Sequence, residues 1–287
     1  MGLRLVVVAM LVGPVMGWSQ GALKRVYQPG ERVAYRMVGT NETPQQIRHY
    51  EANVTGVVSK DDVEELAWRD LTVNGKSVPL SESSQAFRER LSLAPGYKLA
   101  VPGLGTVQPI LIGPITDLLT FYADVQLAMR QRGLVKAGDH VVVAHGLPNS
   151  WADGAYTVLG QDSIDFDLTL LSVDAKSGVA MLVVRHVPPK EPQIKLPAAW
   201  MAAPLAAGKN NWVQVQKTGP EQFVAGVGVE SFEAMIRVSL DSGKILTATL
   251  DNPVDVLERV CKDEALKDCG EATRYKIRRV ISLEAAK

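Results

Sequence analysis

One stretch, residues 113–132 (GPITDLLTFYADVQLAMRQR), reads as a long helix in a chain whose other periodic segments read as strands. At about 100° per residue, Ile115, Leu118, Leu119, Phe121, Tyr122, Val125 and Met129 share one face. Thr116, Asp117, Thr120, Asp124 and Gln131 share the other, with Gln126 and Leu127 out of pattern. Pro114 suits the first helical position and Asp117 the electropositive first turn; Arg130 and Arg132 suit the last turn, and Gly133 stands just beyond it. A helix with so wide an apolar stripe needs an apolar surface, and the surrounding strands must provide it.

Those strands alternate. In 32–39, Val33, Tyr35 and Met37 interleave with Arg32 and Arg36; 47–59 and 63–73 follow, and Asn74-Gly75 is a hairpin signal. Residues 87–93 fit a strand or a short helix. Beyond the predicted helix, 140–145, 156–162, 163–174 and 179–187 read as strands, the last apolar at nearly every position and so covered on both faces. A meander closes the chain: 212–217, 223–229, 232–240, 245–250 and 254–260, with Asn252-Pro253 among the turns, then 274–283. In that last strand Tyr275, Ile277 and Ile281 alternate with Arg274, Lys276 and Arg278, and Arg279 is out of pattern. No βαβ rhythm is present. The expected fold is mainly β: a strongly curved antiparallel sheet or (half-)barrel with one long amphipathic helix (about 114–132) across its concave face.

The N-terminal 22 residues read as an address. Arg4 precedes a twelve-residue apolar run, 5–16, and small residues follow; cleavage after Gly17, Ser19, Gly21 or Ala22 fits a secretory signal peptide. The run is shorter than a spanning helix needs, and no cysteine follows it for lipid attachment. The expectation is a mature chain without a transmembrane segment, periplasmic or secreted, with residues 23–287 as a single β-rich domain. Residues 188–211, irregular and with five prolines, mark a possible subdivision, although their apolar content argues for packing. Cys261 and Cys269, with seven residues between them, form a disulfide in an oxidising compartment.

Lys+Arg and Asp+Glu balance at 31 each, so there is no long-range attraction to nucleic acid, which is not an expected partner. No catalytic or cofactor motif stands out. His140 and His145 fall on opposite faces of a continuous strand and cannot jointly hold a metal. Asp153, Asp165 and a histidine are the best acids and base for a hydrolase, but no Gly-x-Ser-x-Gly elbow accompanies them. Arg274, Lys276 and Arg278 read as a charged, solvated edge. Trp151, Trp200 and Trp212 lie in or beside loops, where they rim a cavity mouth or anchor loops to the core. Together with Leu118, Tyr122 and Met129 on the helix, they are the candidate ligand-binding residues.

The predicted helix at 113–132 and the meander at 212–260 resemble, in architecture, the bacterial lipoprotein-carrier family and its mycobacterial envelope relatives. That resemblance implies a half-barrel whose apolar concave face, covered by helices, holds acyl chains; it assigns no residue a role. The signal, the Gly30-Glu31-Arg32 and Gly138-Asp139-His140 lead-in turns, the DSGK hairpin at 241–244 and ERVC at 258–261 also look like uncharacterised exported bacterial proteins. Three functions follow as expectations: an exported binding protein for a lipid or other apolar small molecule held between sheet and helix, an envelope structural or interaction protein with a filled core and a protein partner, and a secreted hydrolase.

Overall fold

The computed structural model describes residues 23–61, 63–78, 86–92, 99–100, 114–129, 133–144, 151–152, 156–161 and 165–286. The expected signal peptide, the ends of the expected helix at 113 and 130–132, and His145 and Asp153 lie outside them. The strands are β1 (Arg32–Glu42), β2 (Ile47–Val58), β3 (Val63–Val73), β4 (Lys76–Ser77), β5 (Ala86–Ser92), β6 (Leu99–Ala100), β7 (His140–Ala144) and β8 (Trp151–Ala152). They continue with β9 (Tyr156–Leu159), β10 (Asp165–Asp174), β11 (Val179–Val187), β12 (Asn210–Gly219), β13 (Gln222–Glu230), β14 (Glu233–Ser239), β15 (Ile245–Cys261) and β16 (Thr273–Ala285). One α-helix, α1 (Pro114–Met129), lies among the described residues.

The molecule is mainly β, as expected, and its pairings are antiparallel. The sheet runs β6-β5-β3-β2-β1-β16-β15-β13-β12-β9-β8, and a second arm, β14-β11-β10-β7, leaves it at β15. Among the described residues it does not close on itself. Alternation decides which residues turn inward: Tyr35 and Met37 of β1, Tyr50, Ala52 and Val54 of β2, and Leu66 and Trp68 of β3 are all buried against α1 in one core. The 87–93 ambiguity resolves as β5, and Asn74-Gly75 turns the chain with both φ positive, at 50° and 75°.

Three expectations are corrected. Residues 245–250 and 254–260 are not two strands joined at Asn252-Pro253, but one strand, β15. β15 pairs with β14 through Leu250 and with β13 from Val254, so residues 251–253 have ladder partners only on β16. A proline is tolerated at such a gap because no second ladder is interrupted. The charged face of β16 is not an edge, because β16 lies between β1 and β15. Its cations pair across the ladder instead, Arg278 with Asp251 at 2.5 Å and Lys276 with Asp255 at 3.0 Å.

Finally, the buried surface of α1 is wider than the expected stripe, while Asp117, Thr120 and Asp124 on the expected polar face are half-buried. Ala123, Gln126 and Ala128 are buried along with the apolar stripe, because both arms of the sheet contribute to the core around the helix. Its polar groups are matched inside. Tyr122 donates to Glu64 Oε1 at 2.8 Å, and its ring meets Tyr35 and Trp68 edge-on. Tyr27 donates to Gln126 Oε1 at 3.0 Å.

The opposite face of β12 and β13 carries a second core. Phe223, Ala225 and Val227 point away from Glu230, and residues 188–211 cover them through Ile194, Leu196 and Met201. The packing expected of that stretch is therefore present. The Cys261–Cys269 disulfide forms and borders the same core.

Glu64 can reach Tyr122 because residue 56 lacks a side chain: a Cβ at Gly56 would stand 2.0 Å from Glu64 Oε1. Gly56→Ala should lower unfolding stability by about 2–4 kcal/mol in urea titration. Gly219→Ala, with its nearest neighbour 3.5 Å away, should leave the midpoint nearly unchanged.

Candidate functional site at the sheet fork

The fork follows from the change of partner along β15. β13 and β14 run end to end beside it, separated by Ser231 and Phe232. Asn252 Nδ2 ties the break by donating to the Ser231 carbonyl at 2.9 Å. Past the break the outer neighbours also differ: β12 begins at Asn210 opposite Glu230, and β11 pairs through Arg185 opposite Glu233. The diverging ends leave a pocket of about 210 Å³ bounded by His186, Lys209, Asn210, Glu230 and Phe232 among others. The His186 ring stacks on Phe232 at 4.0 Å and meets Phe166 edge-on at 4.8 Å. Arg185 pairs with Glu233 at 2.6 Å, and Lys209 donates to the Ser231 hydroxyl at 2.7 Å.

Glu230 is the centre of this region. It is only 8% exposed, yet it is well supplied with donors. Asn210 Nδ2 donates to Oε1 at 2.7 Å, Trp212 Nε1 donates to Oε2 at 3.3 Å, and Arg279 Nη2 donates to Oε2 as well. From β16 the same guanidinium reaches the helix, with Nη1 3.6 Å from Asp117 Oδ1. Tyr50 donates to the other Asp117 oxygen at 3.3 Å. Asp117 stands in the first turn of α1, where the helix dipole also favours a carboxylate. One arginine therefore joins the fork to the helix.

The electrostatics follow from burial. Desolvation pushes the Asp117 carboxyl above its ordinary range, an effect that Arg279 and Tyr50 only partly offset. Asp124, further along α1, is pushed well above that range by burial and then by the negative charge of Glu230. Burial opposes the charge on Arg279, but Glu230 and Asp117 outweigh it and hold the guanidinium pKa high. This arrangement fastens elements together. It offers no activated nucleophile, because the donors around Glu230 already occupy both of its oxygens.

The predicted ligand-binding residues do not gather in one place. Leu118, Tyr122 and Met129 are 0%, 0% and 2% exposed, within the core around α1. Trp200 sits in a short 3₁₀ turn, Ala199–Ala202, on the other face of the sheet; its Nε1 donates to the Leu266 carbonyl at 3.2 Å and Arg259 covers its ring. It anchors the 188–211 stretch to the disulfide loop. Trp212 reaches the fork through Glu230. Trp151 is in β8, with its side chain outside the described residues.

Of the hydrolase candidates, Asp165 begins β10. His140 Nδ1 lies 3.6 Å from Asp167 Oδ2, and the Thr169 hydroxyl donates to Asp167 Oδ1 at 3.1 Å, both away from Asp165 at the start of the strand. Among the described residues, no three His, Cys, Asp or Glu side chains are grouped to hold a metal. Sequence reasoning missed Glu230 and Arg279 as a pair. The available signal was Arg279 itself, a charge at a position where the alternation of β16 calls for an inward residue.

No protein-family model and no curated protein matches the chain. Among solved structures, a mutant of the Rh. blastica porin aligns over 89% of this chain and 99% of its own, at 7% identity and a TM-score of 0.19. An OccD1 (OprD) variant aligns over 92% and 98%, at 4% identity and a TM-score of 0.21. Similarity at this level carries no argument about fold or function.

Two outcomes follow from the cluster. Arg279→Leu leaves Glu230 and Asp117 without their shared counterion. It should cost about 2–3 kcal/mol in urea titration, less than a wholly buried pair because solvent still reaches part of the side chain. For Asp124, a folded pKa above the unfolded value means that the native state binds more protons between the two. Its contribution is therefore most favourable below the unfolded value near pH 4 and is lost as pH rises through the folded one. Asp124→Asn should raise the urea midpoint at neutral pH, do little in acid, and flatten the pH profile of stability in between.

Proposed function

We infer that this chain is an exported, non-enzymatic protein of the cell envelope that acts as a structural or interaction module with a filled interior, in preference to a carrier of an apolar ligand. The observation that carries this reading is the packing of α1: Leu118, Tyr122 and Met129, the side chains that would line a lipid cavity between sheet and helix, are consumed by contacts with the strands. An acyl chain at that place would have to displace the helix.

The polar ties point the same way. Tyr122 to Glu64 and Asp117 to Arg279 fix the helix by geometry, whereas a lid over a variable ligand benefits from contacts that slide. Export rests on the N-terminal sequence and is compatible with the disulfide. Among the described residues no helix is long and apolar enough to cross a membrane.

In-cell crosslinking followed by mass spectrometry should identify one dominant envelope protein partner, and gently purified chain should show only its own mass in native mass spectrometry. A co-purified acyl-chain mass, lost on delipidation, would overturn the reading. Leu118→Ala provides a second readout. In a filled core it removes packing with nothing to replace it, and should cost about 2–4 kcal/mol in chemical denaturation. In a ligand cavity it would cost far less and would increase uptake of hydrophobic probes.

A further inference from the structure

The pocket at the sheet fork is lined by two polar groups whose bonding capacity the fold does not use up. Asn210, only 2% exposed, is one of them. Its Nδ2 donates to Glu230 Oε1 at 2.7 Å, which fixes the orientation of the amide and leaves Oδ1 buried without a protein partner. A buried acceptor in that condition costs free energy until an N–H or O–H reaches it. The other is Lys209, which brings an exposed ammonium to the rim. One of its three N–H groups goes to the Ser231 hydroxyl at 2.7 Å, and among the described residues no carboxylate pairs with it. Arg185, also at the rim, is by contrast already neutralised by Glu233 at 2.6 Å.

Size and lining narrow what could satisfy both groups. Pro188 and the Phe232 ring, the latter stacked on His186, supply apolar surface. At about 210 Å³ the pocket is smaller than the sites of drug-sized ligands and cofactors, and suits something the size of one amino-acid residue. Lys209 and Asn210 are consecutive, with Cα atoms about 3.8 Å apart, so one small molecule spans the cation and the acceptor together. Glu230 would repel an anion here, but Arg279 offsets its charge and donors occupy both of its oxygens.

We propose that the fork pocket binds a small carboxylate with an N–H group on the adjacent carbon, the chemistry shared by a free amino acid and the last residue of a peptide chain. The carboxylate lies against the Lys209 ammonium, the N–H donates to Asn210 Oδ1, and the side chain rests on Phe232 and Pro188. Glu230 acts as a positioning residue, holding the Asn210 amide so that its oxygen is the atom presented. This site is separate from the core around α1 and depends neither on that core being filled nor on export. A ligand of about ten non-hydrogen atoms held in this way binds weakly, with a Kd on the order of 0.1–1 mM. It is therefore lost on purification, which leaves the chain's own mass in native mass spectrometry.

Titration of the folded chain, followed by the indole N–H resonance of Trp212, tests this, because that N–H donates to Glu230 and so reports on the fork. The probes are valine, N-acetylvaline, N-acetylvalinamide, which lacks the carboxylate, and isovalerate, which keeps the carboxylate but has no N–H. Valine or N-acetylvaline should bind at least about tenfold more tightly than either of the other two. Preference for N-acetylvaline assigns the site to a chain terminus, and preference for valine to a free amino acid; both outcomes support the proposal. Lys209→Met, at an exposed position, should weaken the better probe at least about fivefold with the urea midpoint nearly unchanged. The proposal is overturned by the absence of a saturable Trp212 shift with valine and N-acetylvaline. Equally tight binding of N-acetylvalinamide or isovalerate, or an unchanged affinity in Lys209→Met, overturns it as well.

Discussion

A single guanidinium inside a β-sheet bowl is expensive to desolvate, and the placement of Arg279 constrains everything near it. It projects inward from β16, a central strand, and is offset by Glu230 at the sheet fork and Asp117 at the start of α1. Buried ion pairs often add little net stability, but they penalise any arrangement that separates the charges. Sliding α1 by one turn would carry Asp117 away from Arg279, and closing the fork differently would move Glu230. The cluster thus acts on register, selecting one seat for a helix whose apolar surface would tolerate several.

Around that point the sheet is covered on two sides by different means. On the inner side α1 fills the space between the arms, with Tyr122 and Glu64 providing a second polar fix. On the other side of β12 and β13, residues 188–211 form a cover pinned by Trp200 to the loop that Cys261 and Cys269 close. The N-terminal segment then binds the helix end to the β14–β15 turn. Each polar tie joins elements far apart in sequence. A chain organised in this way is suited to presenting a rigid exterior.

Much of the sheet was legible because a half-buried strand leaves a period of two, as in Tyr35 and Met37 or Phe166 and Leu168. The disulfide was legible from the count of two cysteines in a chain read as exported, and the helix from its apolar stripe. What was not legible depends on pairings that no local pattern encodes. Asn252-Pro253 looks like a turn until β15 is seen to change partners there. Gln126 looks like an error on the apolar face until Tyr27 is placed opposite it. Asp117 looks like part of a solvent face because a period of 3.6 reports polarity, and cannot say that the matching charge arrives from β16. For the candidate site, Trp212 was identified for its loop position, while its significance lies in Glu230, whose partner Arg279 is visible in sequence only as a break in alternation.

Arg279 couples the fork to the helix, and a double-mutant cycle on Asp117→Asn and Glu230→Gln at mildly alkaline pH measures that coupling. Either change alone leaves Arg279 one carboxylate; both together leave it with neither. The double variant should lose more stability in urea titration than the two single losses combined, by about 1 kcal/mol or more. Additivity within about 0.5 kcal/mol would mean that the two acids act independently, and would contradict it.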